Sequence, residues 1–210
     1  KEMLSHKKSL DILRKTNALL EGHFILSSGL HSSKYIQCAK LLSYPSIAEK
    51  ICKSLAFKIR KNFRKFDLIL APAIGGIVIG YEIGRILKKE TIFCERVKGK
   101  FTLRRGFKIK KGNKVIIIED VITTGKSSME CVKLIRKSKA TLVGFATIID
   151  RSTKNKLKIK KRIISHLKIE VPTYKANRLP KELDSVPVSI PGSRFITVSY
   201  THLTLPTTYH

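Results

Sequence analysis

VIIIEDVITTGKSS, residues 115–128, joins a run of β-branched apolar residues to two adjacent carboxylates and then to a loop of small hydroxylated residues. An unbroken apolar run of this length, closed by a turn signal, reads as a strand buried on both faces. The residues after it, from Met129 to Lys137, read as a helix. Two carboxylates side by side at the end of an apolar strand are costly unless they have partners. Thr123–Ser127 supplies consecutive backbone N–H groups and three hydroxyls, and the helix N-terminus adds its positive dipole end. Together these make a phosphate cradle. Gly125 lets the backbone approach a ligand closely. Glu119 and Asp120 stand where acidic residues accept hydrogen bonds from sugar hydroxyls, so the segment asks for a ribose 5-phosphate. It is not a Walker A loop, because no glycine occupies position 120.

Working outward, DLILAPAIGG (67–76) is a second buried strand that feeds a small-residue loop and a helix over 77–87. TIFCER (91–96) and LVGFATIID (142–150) are further strands, and SHLKIEV (165–171) is another. The alternation of strand and helix predicts an α/β fold, a Rossmann-like parallel sheet with helices on both faces. Upstream, SLDILRKTNALL predicts a helix over 9–20, ended by Glu21-Gly22. His23 to Ile36 reads as a hairpin with a Ser-Ser-Gly turn, and Pro45 opens a helix from about 46 to 60. His23 and His31 read as surface or turn residues. From Arg96 to Lys114 there are nine basic residues and no acidic one, which reads as a long mobile loop and an extended pair.

The chain has 210 residues, 42% apolar and 28% charged, the balance of a globular domain with a core. No apolar run is long enough to span a bilayer, and no secretory signal is visible. Four scattered cysteines, with no histidine at ligand spacing, argue against structural zinc and against a disulfide framework, so reduced thiols in the cytoplasm are expected. The net charge of +28 comes from 43 Lys and Arg against 15 Asp and Glu. Nucleic acid is one partner that such charge suits. Aromatic residues are only 7% and Trp is absent, which is thin for base stacking, so drift towards Lys and Ile codons is the preferred reading. The terminal stretch TVSYTHLTLPTTYH (197–210) contains no charged residue and is similar to a translated sequencing adapter. It is expected to be a scar rather than native fold, and Lys1 in place of Met suits a gene fragment.

VIIIEDVITTGKS resembles the signature of the type I phosphoribosyltransferases. GHFILSSGLHSSKYIQCAKLL (22–42), LILAPAIGGIVIGYEIGR (68–85), CERVKGKFTLRRGF (94–107), IIDRS (148–152) and VPVSIPGSR (186–194) narrow the resemblance to the orotate phosphoribosyltransferases. It implies one domain over 1–196, with a hood from about 10–42 and 170–196 around a core of about 46–170. Residue by residue, it implies that Glu119 and Asp120 hold the ribose hydroxyls of phosphoribosyl pyrophosphate. Val121, Ile122, Thr123, Thr124, Gly125, Lys126 and Ser127 would wrap its 5-phosphate, and the loop with Ile74 and Gly75 would meet the pyrophosphate.

Arg96, Lys98 and Lys100 match the catalytic basic loop, which in relatives closes over the neighbouring site of a homodimer. Arg151 matches the residue that pairs with the orotate carboxylate. Thr123, Tyr35, Ile36 and Ser27 complete the orotate set. Ser27 and Gly75 stand where many members keep a lysine, and Arg104 or Arg105 is the candidate substitute. The implied reaction is transfer of the phosphoribosyl group to orotate through an oxocarbenium-like transition state, with no protein nucleophile. Mg²⁺ is expected on the substrate's own oxygens, with no metal ligand assigned to the protein. A transferase for another base and a nucleic-acid-binding regulator are the alternative readings.

Overall fold

The structure, a computed structural model, describes residues 3–191. The expectations for 192–196 and for the stretch 197–210 fall outside the described residues. The elements run α1 (His6–Lys15), β1 (Leu19–Ile25), β2 (His31–Ile36), α2 (Cys38–Leu42), α3 (Pro45–Asn62), β3 (Leu68–Pro72), α4 (Gly75–Leu87), β4 (Glu90–Val97) and β5 (Lys100–Thr102). They continue as β6 (Lys114–Ile122), α5 (Lys126–Lys137), β7 (Thr141–Asp150), β8 (Ile163–Lys168), α6 (Lys181–Asp184) and β9 (Val188–Ser189).

The main sheet has the order β5-β4-β3-β6-β7-β8. It is parallel except for β5, which folds back antiparallel on β4 as an edge hairpin. The central strands are apolar on both faces, as burial under two helical layers requires. Ile116 and Ile118 of β6 pack into the layer of α3 and α4. Val115 and Ile117 point the other way, into the layer of α5. The period-two alternation of side chains thus divides one apolar run between two cores. Leu68, Leu70, Ile69 and Phe145 are likewise at or near zero exposure.

A second, three-stranded sheet of order β2-β1-β9 forms a cap over one end. The hairpin turn is as expected, with Gly29 at φ 77° and Leu26 N–H donating to the Leu30 carbonyl. The first helix is not: it stops at Lys15, and Leu19 and Leu20 belong to β1. Asn17 takes a left-handed φ of 57° and Ala18 N–H closes on the Leu13 carbonyl at 2.8 Å, a helix stop that asparagine tolerates. Leucine spacing alone cannot see this, because the apolar face of the helix runs on into the buried face of the strand. Ser9 Oγ then fastens α1 to His166 Nε2 on β8 at 2.8 Å.

His23 and His31 are not surface residues. They are 3% and 8% exposed, and His23 Nε2 lies 2.6 Å from His31 Nδ1. His23 Nδ1 donates to the Val186 carbonyl at 3.0 Å, and the His31 backbone pairs with Tyr174. The pair therefore joins the hairpin to the C-terminal part of the cap. β8 begins two residues before its expected start and ends at Lys168, and α5 begins three residues early, at Lys126. Among the described residues no helix is long and apolar enough to cross a membrane.

Candidate active site

β3 and β6 are neighbours at the centre of the sheet, and the chain leaves their carboxyl ends in opposite directions. Ala73–Ile74 leads into α4 on one face, while Thr123–Gly125 leads into α5 on the other. The crevice at such a reversal is where ligands bind in open α/β sheets. Neither helix has a side-chain cap or an acidic residue in its first turn. Lys126 N–H makes a long contact of 3.4 Å with Thr124 Oγ1 and Ile77 N–H donates to the Ile74 carbonyl, but Gly75, Gly76, Ser127 and Ser128 keep their N–H groups, so two positive helix ends converge on one crevice. The geometry suits two anionic groups, one at each helix end.

The loop into α5 is fixed from behind. Gly125 takes a φ of 72°, and a Cβ there would stand 2.6 Å from Ile159, so glycine is required twice over. Lys158 N–H donates to the Thr124 carbonyl at 2.9 Å, and Met129 N–H to the Gly125 carbonyl at 2.9 Å. Thr123 and Lys126 are exposed, while Thr124 and Ser127 are half-buried.

Glu119 and Asp120 sit just before this loop. Burial pushes the Glu119 carboxyl up to about 7, against the opposing pull of a hydrogen bond from Ser128 Oγ, with Asp120 adding to the rise. Burial also raises Asp120, and the Val121 N–H, donating at 2.9 Å, works against it. The Asp120 carbonyl accepts from Thr147 Oγ1 at 2.9 Å and from the Cys38 thiol at 3.8 Å. Thr147, Cys38 and Ser128 were not singled out for these tasks from sequence. Only Ser128 carried a signal there, as the second hydroxyl after the loop lysine.

Arg151 follows β7, its N–H donating to the Ile122 carbonyl at 2.8 Å. Burial holds its guanidinium below the ordinary value, with Cys38 and Tyr35 near enough to oppose that effect. Its Nε is buried without a hydrogen-bond partner. Tyr35 is half-buried beside Phe24 and lines a cleft of about 760 Å³ with Leu20, Gln37 and Lys40. Ile36, the next residue on the strand, points the opposite way into the core at 8% exposure. Ser27 is exposed in the β1–β2 turn.

The basic segment divides in the same way. Arg96 is tied down: Nη1 lies 2.7 Å from Glu130 on α5 and donates to the Gly99 carbonyl at 2.8 Å, with the guanidinium 4.1 Å from the Phe101 ring centre. Lys98, at φ 49°, and Lys100 are exposed at the tip of the β4–β5 hairpin. Arg104 and Arg105 both pair with Glu95, at 3.1 and 3.2 Å.

The profile of the phosphoribosyl transferase domain matches residues 42–177. The orotate phosphoribosyltransferase of Parvibaculum lavamentivorans is 45% identical over 194 residues, 92% of this chain and all of that protein. That of Caldicellulosiruptor bescii is 42% identical over 185 residues, 88% of this chain and 96% of that protein. The crystal structure of orotate phosphoribosyltransferase from Aeropyrum pernix superposes with a TM-score of 0.63 at 23% identity, over 76% of this chain and 92% of that one, a likeness of fold.

Proposed function

The chain belongs to the orotate phosphoribosyltransferase family, and from this we propose that it makes orotidine 5'-monophosphate from orotate and phosphoribosyl pyrophosphate, in pyrimidine biosynthesis. The bond from the ribose anomeric carbon to pyrophosphate breaks, and a ring nitrogen of orotate forms the new bond to that carbon. The observation that carries this reading is the Arg151 Nε, buried and unpaired at the carboxyl end of β7, with Tyr35 and Cys38 close by. A half-buried guanidinium without a partner calls for an anion, and a planar carboxylate is the anion its fork fits.

The other roles follow from position. The α5 N-terminus and Thr123–Ser127 receive the 5-phosphate, and the α4 end with Ile74 and Gly75 receives the pyrophosphate. Glu119 and Asp120 accept hydrogen bonds from the ribose hydroxyls, which requires Glu119 to give up its proton. Tyr35 borders the pyrimidine ring. Lys98 and Lys100, exposed at the hairpin tip, approach the departing pyrophosphate and neutralise its charge, while Arg96 anchors the hairpin to α5. Magnesium is placed on the donor's own oxygens, where it would withdraw charge from the leaving group.

We place the active form as a homodimer. Ile74, Val78 and Tyr81 of the α4 end are 86%, 53% and 68% exposed, an apolar patch that a second copy would cover. A monomer by light scattering at micromolar concentration would overturn this. The four cysteines are free and buried, which supports a reducing cytoplasm. The reaction is tested by following orotate absorbance on adding phosphoribosyl pyrophosphate with magnesium. A folded chain that binds the donor but consumes no orotate would overturn the assignment.

A further inference from the structure

Behind the phosphate loop, on the α5 side of the sheet, lies a second cleft of about 400 Å³ that the proposed reaction does not use. Its rim is cationic: Arg136 of α5 faces Lys158, Lys160 and Lys161 of the segment between β7 and β8. Among the described residues none of these four has a carboxylate within ion-pair distance. The one acid on α5, Glu130, is taken by Arg96. Its floor is apolar, with Met129, Ala140 and Leu142 partly exposed in it over the buried Val132 and Phe145. Neither carboxylate of the candidate active site lines it.

A small inorganic anion would meet the rim and leave the floor wet, while a purely apolar ligand would desolvate four cations for nothing. The ligand that satisfies both parts carries several negative charges on one end and an uncharged ring on the other. We infer that this cleft is a second ligand site, for a nucleoside polyphosphate whose ring lies on the floor of Met129, Ala140 and Leu142 and whose phosphates meet Lys160 and Lys161. Its volume lies within the range of small-molecule sites. The segment that carries the three lysines is also the one that props the phosphate loop, through Lys158 N–H to the Thr124 carbonyl and Ile159 against Gly125. An occupant would therefore bear directly on that loop.

The test is calorimetric titration of the full chain with ATP, UTP and inorganic tripolyphosphate, in parallel with two double variants. Lys160→Ala/Lys161→Ala removes half of the rim, and Lys61→Ala/Lys65→Ala removes the same charge from the α3 end on the opposite face. The expected result is saturable one-to-one nucleotide binding, weakened about tenfold or more in the first variant and unchanged in the second. Tripolyphosphate should bind more weakly than either nucleotide. Deuterium exchange should slow over 157–163 when nucleotide binds. Four results overturn the site: no saturable binding, equal losses in both variants, binding retained in the first variant, or tripolyphosphate as tight as the nucleotides. None of these readouts needs turnover, so the site and the proposed reaction stand or fall separately.

Discussion

The Asp120 carboxylate fills the space that a side chain at Gly75 would need: a Cβ there would stand 2.8 Å from both of its oxygens. Position 75 is therefore glycine for a local reason in this chain. The carboxylate rests against the first turn of α4, and the helix end that would receive the pyrophosphate is open above it.

Gly75→Ala should push Asp120 out of this place without unfolding the chain, because the position is exposed. The Michaelis constant for phosphoribosyl pyrophosphate is expected to rise about tenfold, with that for orotate nearly unchanged. Steady-state kinetics with each substrate varied in turn checks this, and equal rises in both constants would count against the assigned contact.

Glu119 holds its proton to about pH 7 in the folded chain, against an ordinary 4.5. A raised carboxyl costs native stability as pH climbs from about 4.5 through about 7, by up to about 3 kcal/mol. Glu119→Gln should therefore stabilise the protein at pH 8 and change little at pH 4.5, as urea melts at the two values would show. In the unsubstituted chain, donor affinity should fall as pH drops through about 7, because a protonated carboxyl no longer accepts two ribose hydrogen bonds.

Ser128, buried in the first turn of α5, donates to that carboxylate and favours its ionised form. Ser128→Ala should move the acid limb of the activity profile to higher pH, and Ser128→Thr should restore it. An unshifted profile would make the hydroxyl a packing group only.

Arg151→Ala should raise the Michaelis constant for orotate by about a hundredfold, since a charged contact at a half-buried group is worth up to about 3 kcal/mol, and leave that for the donor nearly unchanged. Arg151→Lys should recover only part of this, lacking the two-pronged geometry.

Lys98→Ala and Lys100→Ala should lower kcat without lowering Tm, because both side chains are exposed. Arg96→Ala should lower both, since it breaks the Glu130 pair and uncovers Phe101. Thermal melts beside single-turnover rates separate the two behaviours.

Residues 115–128 determined the central strand, the paired carboxylates and the loop that follows, because each depends on residue type at short range: β-branched apolar side chains, adjacent acids, then Gly125. The parallel sheet and the hairpin were legible for the same reason. Sequence spacing could not show that α1 ends at Asn17, since a helix face and a strand face bury the same leucines. Nor could it show that His23 and His31, eight residues apart, meet in the interior, or that β9 pairs with β1 across more than 160 residues. It offered Arg96, Lys98 and Lys100 as one group, and Arg104 and Arg105 as substitutes. Only the fold brings Glu130 and Glu95 beside three of these five, leaving Lys98 and Lys100 free, because an ion pair between distant segments depends on how helix and hairpin pack. The same holds for Gly75: its residue type was plain from the start, but the carboxylate that demands it arrives from another strand.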